Sequence, residues 1–374
     1  MIKGLVEKHH VYVLGFNEEN YHKINKVTYV SLGSNQNKFK FIKTAIHFSI
    51  LNKNALFFIN TLKYLFQKEK KIIQQQNFET AIAQIKPDII HLQWPSLLPW
   101  CETVLQNKEI NVLLSQRGSQ TNIRPFIDPT YFNYLRKCYP KTDGFHSVSK
   151  AISLKGDVIW NDKSKVDKVI YTGLQLEKFS FSLKNNNKGF IQLLSVGRVH
   201  WVKGYNDALK CCELLKKSRI NFQYTIVGAT GDEELLYLRN ELDLEKEVVL
   251  KNRIPQEQVV ELMKSSSVLL MPSVEEGMPN VIVEAMALGL PVISADCGGV
   301  TELIKNDIEG WVVPMRNPEA LAEAIKSFID MPLEKINKLQ LAARKKVEEQ
   351  HSEKQMVAGM EQLYYDAINN HSIS

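Results

Sequence analysis

Glu276 and Glu284 bracket a glycine turn and the start of a short helix in SVEEGMPNVIVEAMALGLPVISADCGGVTELI, directly after the apolar run VLLMPS. Two carboxylates at the carboxyl end of a buried strand are suited to accept hydrogen bonds from a polyhydroxylated ligand. Upstream, SVGRVHWVKGYNDALK ends an apolar run at Gly197, continues with Arg198, and opens the next helical stretch at Lys203-Gly204. Arginine offers a bidentate fork, lysine a point charge, and a helix start adds free N–H groups. Together they suit a diphosphate. A solvated basic loop is the alternative for this pair taken alone. Further strand ends carry Gly228 (IVGAT), Arg253 (LKNRIP) and the glycine pair of CGGVTE. In a doubly wound sheet such ends face one crevice, so their convergence counts for more than any single motif.

The elements that must position these residues alternate in type. In the second half, IQLLSVG (191–197), FQYTIVG (222–228), EVVLKNR (247–253), SVLLMPS (267–273), PVISAD (291–296) and GWVVP (310–314) read as short buried strands. Helical stretches at 204–218, 232–243, 256–265, 279–288, 299–305 and 317–330 separate them, and 333–350 and 353–369 follow. Alternation of this kind predicts a parallel, doubly wound sheet. The first half repeats the theme with VYVLGF (11–16), KVTYVSL (26–32), DIIHLQW (88–94), NVLLSQ (111–116), GFHSVS (144–149) and KVIYTG (168–173). One long helical stretch from about Phe39 to Lys86 ends at Pro87. The asparagine-rich SLKNNNKG (182–189) is the candidate interdomain linker. The fold class is therefore α/β, with domains over 1–182 and 183–352.

Composition sets the class. The chain has 374 residues, 44% hydrophobic and 24% charged, which suits two soluble globular domains. Five cysteines without C-x-x-C spacing read as reduced thiols of a cytoplasmic protein. The sequence opens on no signal-peptide pattern and holds no run of about 18 apolar residues. A net charge of +6 favours anionic ligands or an anionic surface and does not call for nucleic acid. No D-x-D follows a strand, so no metal site is expected, and no G-x-G-x-x-G follows one, which argues against a dehydrogenase.

GRVHWVKG, VGAT, EEGMPNVIVEAMALGLPVISADCGGVTELI and EGWVVP resemble the donor domain of family-four retaining glycosyltransferases (glycosyl transferases group 1, GT-B fold) over roughly 190–330. KPDIIHLQWPS, SQRGS, FHSVSKAI and YTGLQLEKF are similar, more weakly, to the acceptor domain. HSEKQMVAGMEQLYYDAI resembles the closing helix, here 353–370, which in that fold crosses back onto the first domain. The resemblance implies two Rossmann-like domains facing a cleft. It gives Arg198 and Lys203 the donor diphosphate, Glu284 the ribose hydroxyls and Glu276 the donor sugar. Gly277, Met278, Pro279, Asn280 and Val281 form the loop and helix start that meet sugar and phosphate. Gly197 and Gly228 line the donor site, and Arg253 and Ile254 stand where the base is read. It implies no cofactor beyond the nucleoside-diphosphate sugar, no metal, and a displacement on one face in which the leaving phosphate takes the acceptor's proton.

The chain also departs from the pattern. The family opens with a strand and a glycine-rich loop, whereas Met1 here begins inside what resembles the following helix. A truncated start is expected, with a rearranged edge as the alternative. Arg117 and Gly118 in SQRGS stand on the acceptor side, and many relatives carry histidine at Arg117's place. Contact with the donor, contact with an anionic acceptor and a purely structural role are all open to Arg117. His91 and His146 are expected in the core or as caps. His200 and Trp201 either cover the phosphates or pack as a loop. Lys38, Lys40, Lys43, Lys53, Lys63, Lys68, Lys70 and Lys71 stud an aromatic helical region, which suits an anionic lipid surface or simply a solvated face. The expected function is transfer of a sugar to a glycan or lipid-linked acceptor, in the cytoplasm or at the inner face of the membrane. A same-fold sugar-nucleotide epimerase and a non-catalytic glycan- or nucleotide-binding subunit are the rivals.

Overall fold

The computed structural model describes residues 1–16, 23–107, 109–184 and 189–371. Half of the expected linker 182–189, residues 185–188, lies outside these. In the first half, β1 (Val11–Gly15) and β2 (Val27–Ser31) form a parallel pair. A separate parallel sheet runs in the order β3 (Ile89–Leu92), β4 (Asn111–Gln116), β5 (Gly144–Ser147), β6 (Asp167–Val169). In the second half, β7 (Ile191–Val196), β8 (Phe222–Val227), β9 (Val248–Lys251), β10 (Val268–Met271), β11 (Val292–Ala295) and β12 (Trp311–Val313) form one parallel sheet in the order β12-β11-β10-β7-β8-β9.

This order decides where a ligand can sit. The chain runs outward from β7 through β8 to β9, then returns to the other side of β7 at β10 and runs outward again. Connections from β7 and β10 therefore leave in opposite directions, and a crevice opens between their carboxyl ends. Those are the two ends that carry Arg198–Lys203 and Glu276.

Strand alternation shows in the packing. Leu193, Ile226, Leu270 and Ile293 face one core, while Leu194, Val227, Leu269 and Val292 face the other. Helices Tyr205–Lys217 and Pro318–Asp330 cover the first face and Asn280–Leu288 the second, while Leu333–Gln350 reaches the first core with Ile336 and Leu339 and the second with Ala343 and Val347. A parallel sheet buried on both faces reads as continuous apolar runs, which is why its short strands stand out in the sequence. All five cysteines are free and buried.

Leu174 and Phe179 pack into the second-half core, so the chain crosses between the halves ahead of them. The helix Glu353–His371 crosses back. Its Met360, Leu363 and Ala367 pack on Leu113 of β4 and on Ile170. The expected long helix over 39–86 is instead three: Lys38–Leu51, Ala55–Gln67 and Lys70–Ile85. Asn54 caps the second by accepting from the N–H groups of Leu56 and Phe57, and Lys53 and Lys68 take left-handed conformations that end the preceding helices.

Candidate active site

Lys203 and Glu276 come from the two strands that flank the crevice, and their side chains meet. Lys203 Nζ donates to Glu276 Oε1 at 2.6 Å, and Ser273 Oγ donates to the same oxygen at 3.0 Å. The side chains are 22% and 16% exposed, so the pair is reachable yet largely screened from water. The loops that carry them are tied by Val274 N–H donating to Val202 O at 2.8 Å. Gly204 makes this approach possible. Its φ is +63°, and a Cβ would lie 2.0 Å from Pro272 O. Gly298 does the same for the next loop: at φ +50°, a Cβ would lie 1.7 Å from Glu276 O.

Gly197 extends β7, donating to Val227 O and accepting from Tyr205 OH. Arg198 follows it and is exposed, with no side-chain partner among the described residues. His200 Nδ1 accepts from Val202 N–H, which closes the turn under Lys203, and Trp201 stands exposed on that turn. Gly228 ends β8 beside Gly197. Glu284 lies on the helix Asn280–Leu288, where Gln256 Nε2 donates to its Oε1 at 2.9 Å. Burial raises its carboxyl above the usual range, and the Gln256 bond partly opposes that shift. Met278, Val281 and Ile254 pack against the second-half core, Pro279 is buried, and Asn280 is exposed at the helix start. Arg253 is exposed, and no described contact joins it to the set.

Across the crevice stands the loop after β4. A Cβ on Gly277 would lie 3.0 Å from Gly118 N, so Arg117-Gly118 directly faces the Glu276-Gly277 turn. Arg117 Nη2 donates to Gln93 Oε1 at 2.6 Å and Ser115 Oγ at 3.1 Å. His91 and His146 are interior residues that also bond Ser115 Oγ, at 2.9 and 2.8 Å. Burial lowers their pKa values to about 3 and about 4.

Several residues that sequence reasoning passed over hold the halves together. Asn122 Nδ2 donates to Glu275 Oε1 at 2.9 Å, so the first of the two adjacent glutamates bridges the halves while the second serves the crevice. Glu302 accepts from the N–H groups of Lys150 and Ala151, each at 2.9 Å, and from Tyr171 OH at 3.0 Å. Those amides open the helix Lys150–Ile159, where unpaired N–H groups and the helix dipole favour a carboxylate. The partners are about 150 positions away in sequence, so no local signal marks them. A groove of about 750 Å³ near Glu79, Lys86 and Asp88 lies at the amino ends of β3 and β4, away from this chemistry.

Residues 177–346 match the family described as glycosyl transferases group 1. The amylovoran biosynthesis glycosyltransferase AmsK of Erwinia amylovora is 31% identical over 261 residues, covering 66% of this chain and 60% of that protein. The chain thus spans less than two thirds of that relative's length. Sucrose-phosphate synthase from Thermosynechococcus elongatus superposes with a TM-score of 0.77 at 18% identity, covering 98% of this chain and 91% of that one. Anabaena HepE in complex with UDP and glucose superposes at 0.66 with 16% identity, covering 77% and 80%. Both likenesses concern the fold, which is the two-domain GT-B arrangement.

Proposed function

Starting from a chain whose residues 177–346 belong to the glycosyl transferases group 1 family, we propose that the protein is a retaining, metal-independent glycosyltransferase. It moves a sugar from a UDP- or GDP-sugar to a hydroxyl of a glycan or lipid-linked acceptor in surface polysaccharide biosynthesis. The observation that carries this reading is the Lys203–Glu276 pair at the switch point between β7 and β10, facing Arg117-Gly118 across the crevice. AmsK's role in amylovoran biosynthesis and the UDP and glucose held by HepE point the same way.

In the mechanism, the bond from the sugar C1 to the phosphate oxygen breaks and its electron pair stays on the diphosphate. Arg198 and Lys203 neutralise that charge, which is the step where fixed cations lower the barrier most. The acceptor hydroxyl forms its bond to C1 on the same face and passes its proton to the leaving phosphate oxygen. Glu276, released from Lys203 by the incoming diphosphate, accepts from the sugar hydroxyls. Glu284 accepts from the ribose hydroxyls, replacing Gln256, and these donors counter the burial that raises its pKa. Arg253 and Ile254 border the base.

Glu284→Ala is the direct test of the nucleotide assignment. A hydrogen-bonded carboxylate contributes about 1.5–3 kcal/mol, so UDP or GDP affinity measured by calorimetry should fall about 10- to 100-fold. Unchanged affinity would remove the ribose role. An epimerase predicts turnover of the sugar nucleotide without an acceptor, and a non-catalytic subunit predicts binding without turnover.

A membrane surface at the inner face of a cytoplasmic membrane suits the same reading. Among the described residues no helix is long and apolar enough to cross a membrane. On the helix Ala55–Gln67, Leu56, Ile59, Leu62 and Phe66 recur at helical spacing, yet all are exposed, Phe66 by 90%. Phe39, on the helix before, is 86% exposed. From Asn37 to Lys71 the sequence has eight lysines and one acidic residue, Glu69. An outward apolar stripe within a basic field fits the headgroup region of an anionic bilayer. The chain should co-sediment with phosphatidylglycerol vesicles and not with phosphatidylcholine vesicles. Phe66→Asp should weaken that partition about tenfold. Equal partition of both proteins would exclude this face.

A further inference from the structure

Arg117 is a partly buried cation without a counter-ion. Its Nη2 bonds are to neutral oxygens of Gln93 and Ser115, and its buried Nε has no acceptor. Among the described residues no carboxylate lies within ion-pair distance of it. Burial pulls its pKa below the usual arginine range, while the guanidinium keeps its charge at any physiological pH. A desolvated charge that the fold leaves uncompensated is costly, and such sites are where a ligand brings the missing charge. The guanidinium lies 5.6 Å over the ring of Trp94, which is 47% exposed at the carboxyl end of β3. An exposed indole presents a flat apolar face to the C–H face of a sugar ring.

Position selects the source of the anion. Arg198 and Lys203, the cations suited to a diphosphate, follow β7 in the other sheet. Arg117 and Trp94 follow β4 and β3 in the first-half sheet, and Gly118, next to Arg117, meets Gly277 from the opposite wall. Resting on the glycosyltransferase reading, we propose that Arg117 and Trp94 form an acceptor subsite for a saccharide that carries an anionic group, a carboxylate or a phosphate. The guanidinium pairs with the anion through its free donors, and the indole stacks on the ring.

The test uses the full chain with UDP present. Methyl β-D-glucuronide and glucose 6-phosphate are the charged probes, and methyl β-D-glucoside is the neutral one. At least one charged probe should bind about tenfold more tightly than the glucoside, as a charge-assisted pair predicts. Arg117→Gln should abolish that preference and leave UDP affinity within about twofold of the original. Trp94→Leu should weaken charged and neutral probes alike. Arg117→Lys keeps the charge and serves where the glutamine variant melts early; it should lose part of the preference with its fork. Equal binding of charged and neutral probes overturns the subsite. Weaker UDP binding in Arg117→Gln also overturns it, by assigning the guanidinium to the donor diphosphate. A chain that binds probes but neither UDP nor GDP overturns the donor reading instead.

Discussion

Lys203→Ala is expected to lower turnover at least about tenfold, and up to about a thousandfold, with the fold intact. Removing one preorganised donor from a charge-developing oxygen costs about 3–4 kcal/mol where such losses have been measured. The proposed function gives Lys203 that task; it follows β7, and its Nζ donates to Glu276 at 2.6 Å. Alanine therefore has two effects. It removes the cation from the diphosphate, and it leaves Glu276, 16% exposed, with Ser273 as its remaining partner. Glu276→Gln in the Lys203→Ala background separates the two. If the missing cation limits the rate, the double variant is as slow as Lys203→Ala or slower, because Glu276 also serves the sugar. If the stranded carboxylate limits it, the glutamine restores part of the activity. Turnover is read by product detection with a UDP- or GDP-sugar, and a thermal melt reports the fold. An unchanged rate in Lys203→Ala would end the diphosphate assignment.

The parts of this site that were legible in the sequence are those encoded locally. Each strand end of the second half combines a buried apolar run with a glycine or charged residue, and both signals fall within a few positions. The apolar run NVLLSQ predicts a strand over 111–116, and β4 covers the same residues. The parts that were not legible depend on distant partners or on single backbone conformations. The stretch 39–86 keeps an apolar, helix-compatible pattern throughout, so only the left-handed Lys53 and Lys68 and the cap at Asn54 divide it. Between Gln116 and Gly144 the sequence pattern predicts no element, yet short helices at Ser119–Asn122, Arg124–Ile127 and Pro129–Cys138 fill the span. Two of them begin with proline at the first or second position, where it favours a helix start although proline usually signals a break. Glu302 and Asn122 acquire meaning only when the two halves meet.

Two histidines of the first-half sheet give a second large effect, on stability under acid. His91, half-buried, and His146, buried, flank one hydroxyl. His146 Nε2 stands 3.0 Å from Ile170 O, an acceptor, so that nitrogen carries the proton. A neutral His146 then accepts at Nδ1 from Ser115 O–H, and Ser115 Oγ accepts from His91 Nε2–H and from Arg117. His91 Nδ1 is left to accept from Tyr364 O–H at 2.9 Å, on the helix that crosses back. Every link has one direction, and protonating either ring at its acceptor nitrogen breaks it. Burial, reinforced for His91 by its neighbours His146 and Arg117, lowers the two values to about 3 and about 4 from 6.5. Both folded values lie below the unfolded ones, so the unfolded chain takes up protons first as pH falls. The contribution is complete above pH ~6.5 and is lost on acidification toward the folded values. Between pH ~6.5 and ~5 each histidine should remove about 2 kcal/mol of stability. Urea midpoints followed by tryptophan fluorescence at pH 7, 6 and 5 would show the loss, and His91→Gln should reduce its slope by less than half, because burial also lowers His351. A midpoint that does not move with pH would mean that these rings are not the neutral, directional chain that ties Tyr364 to Arg117.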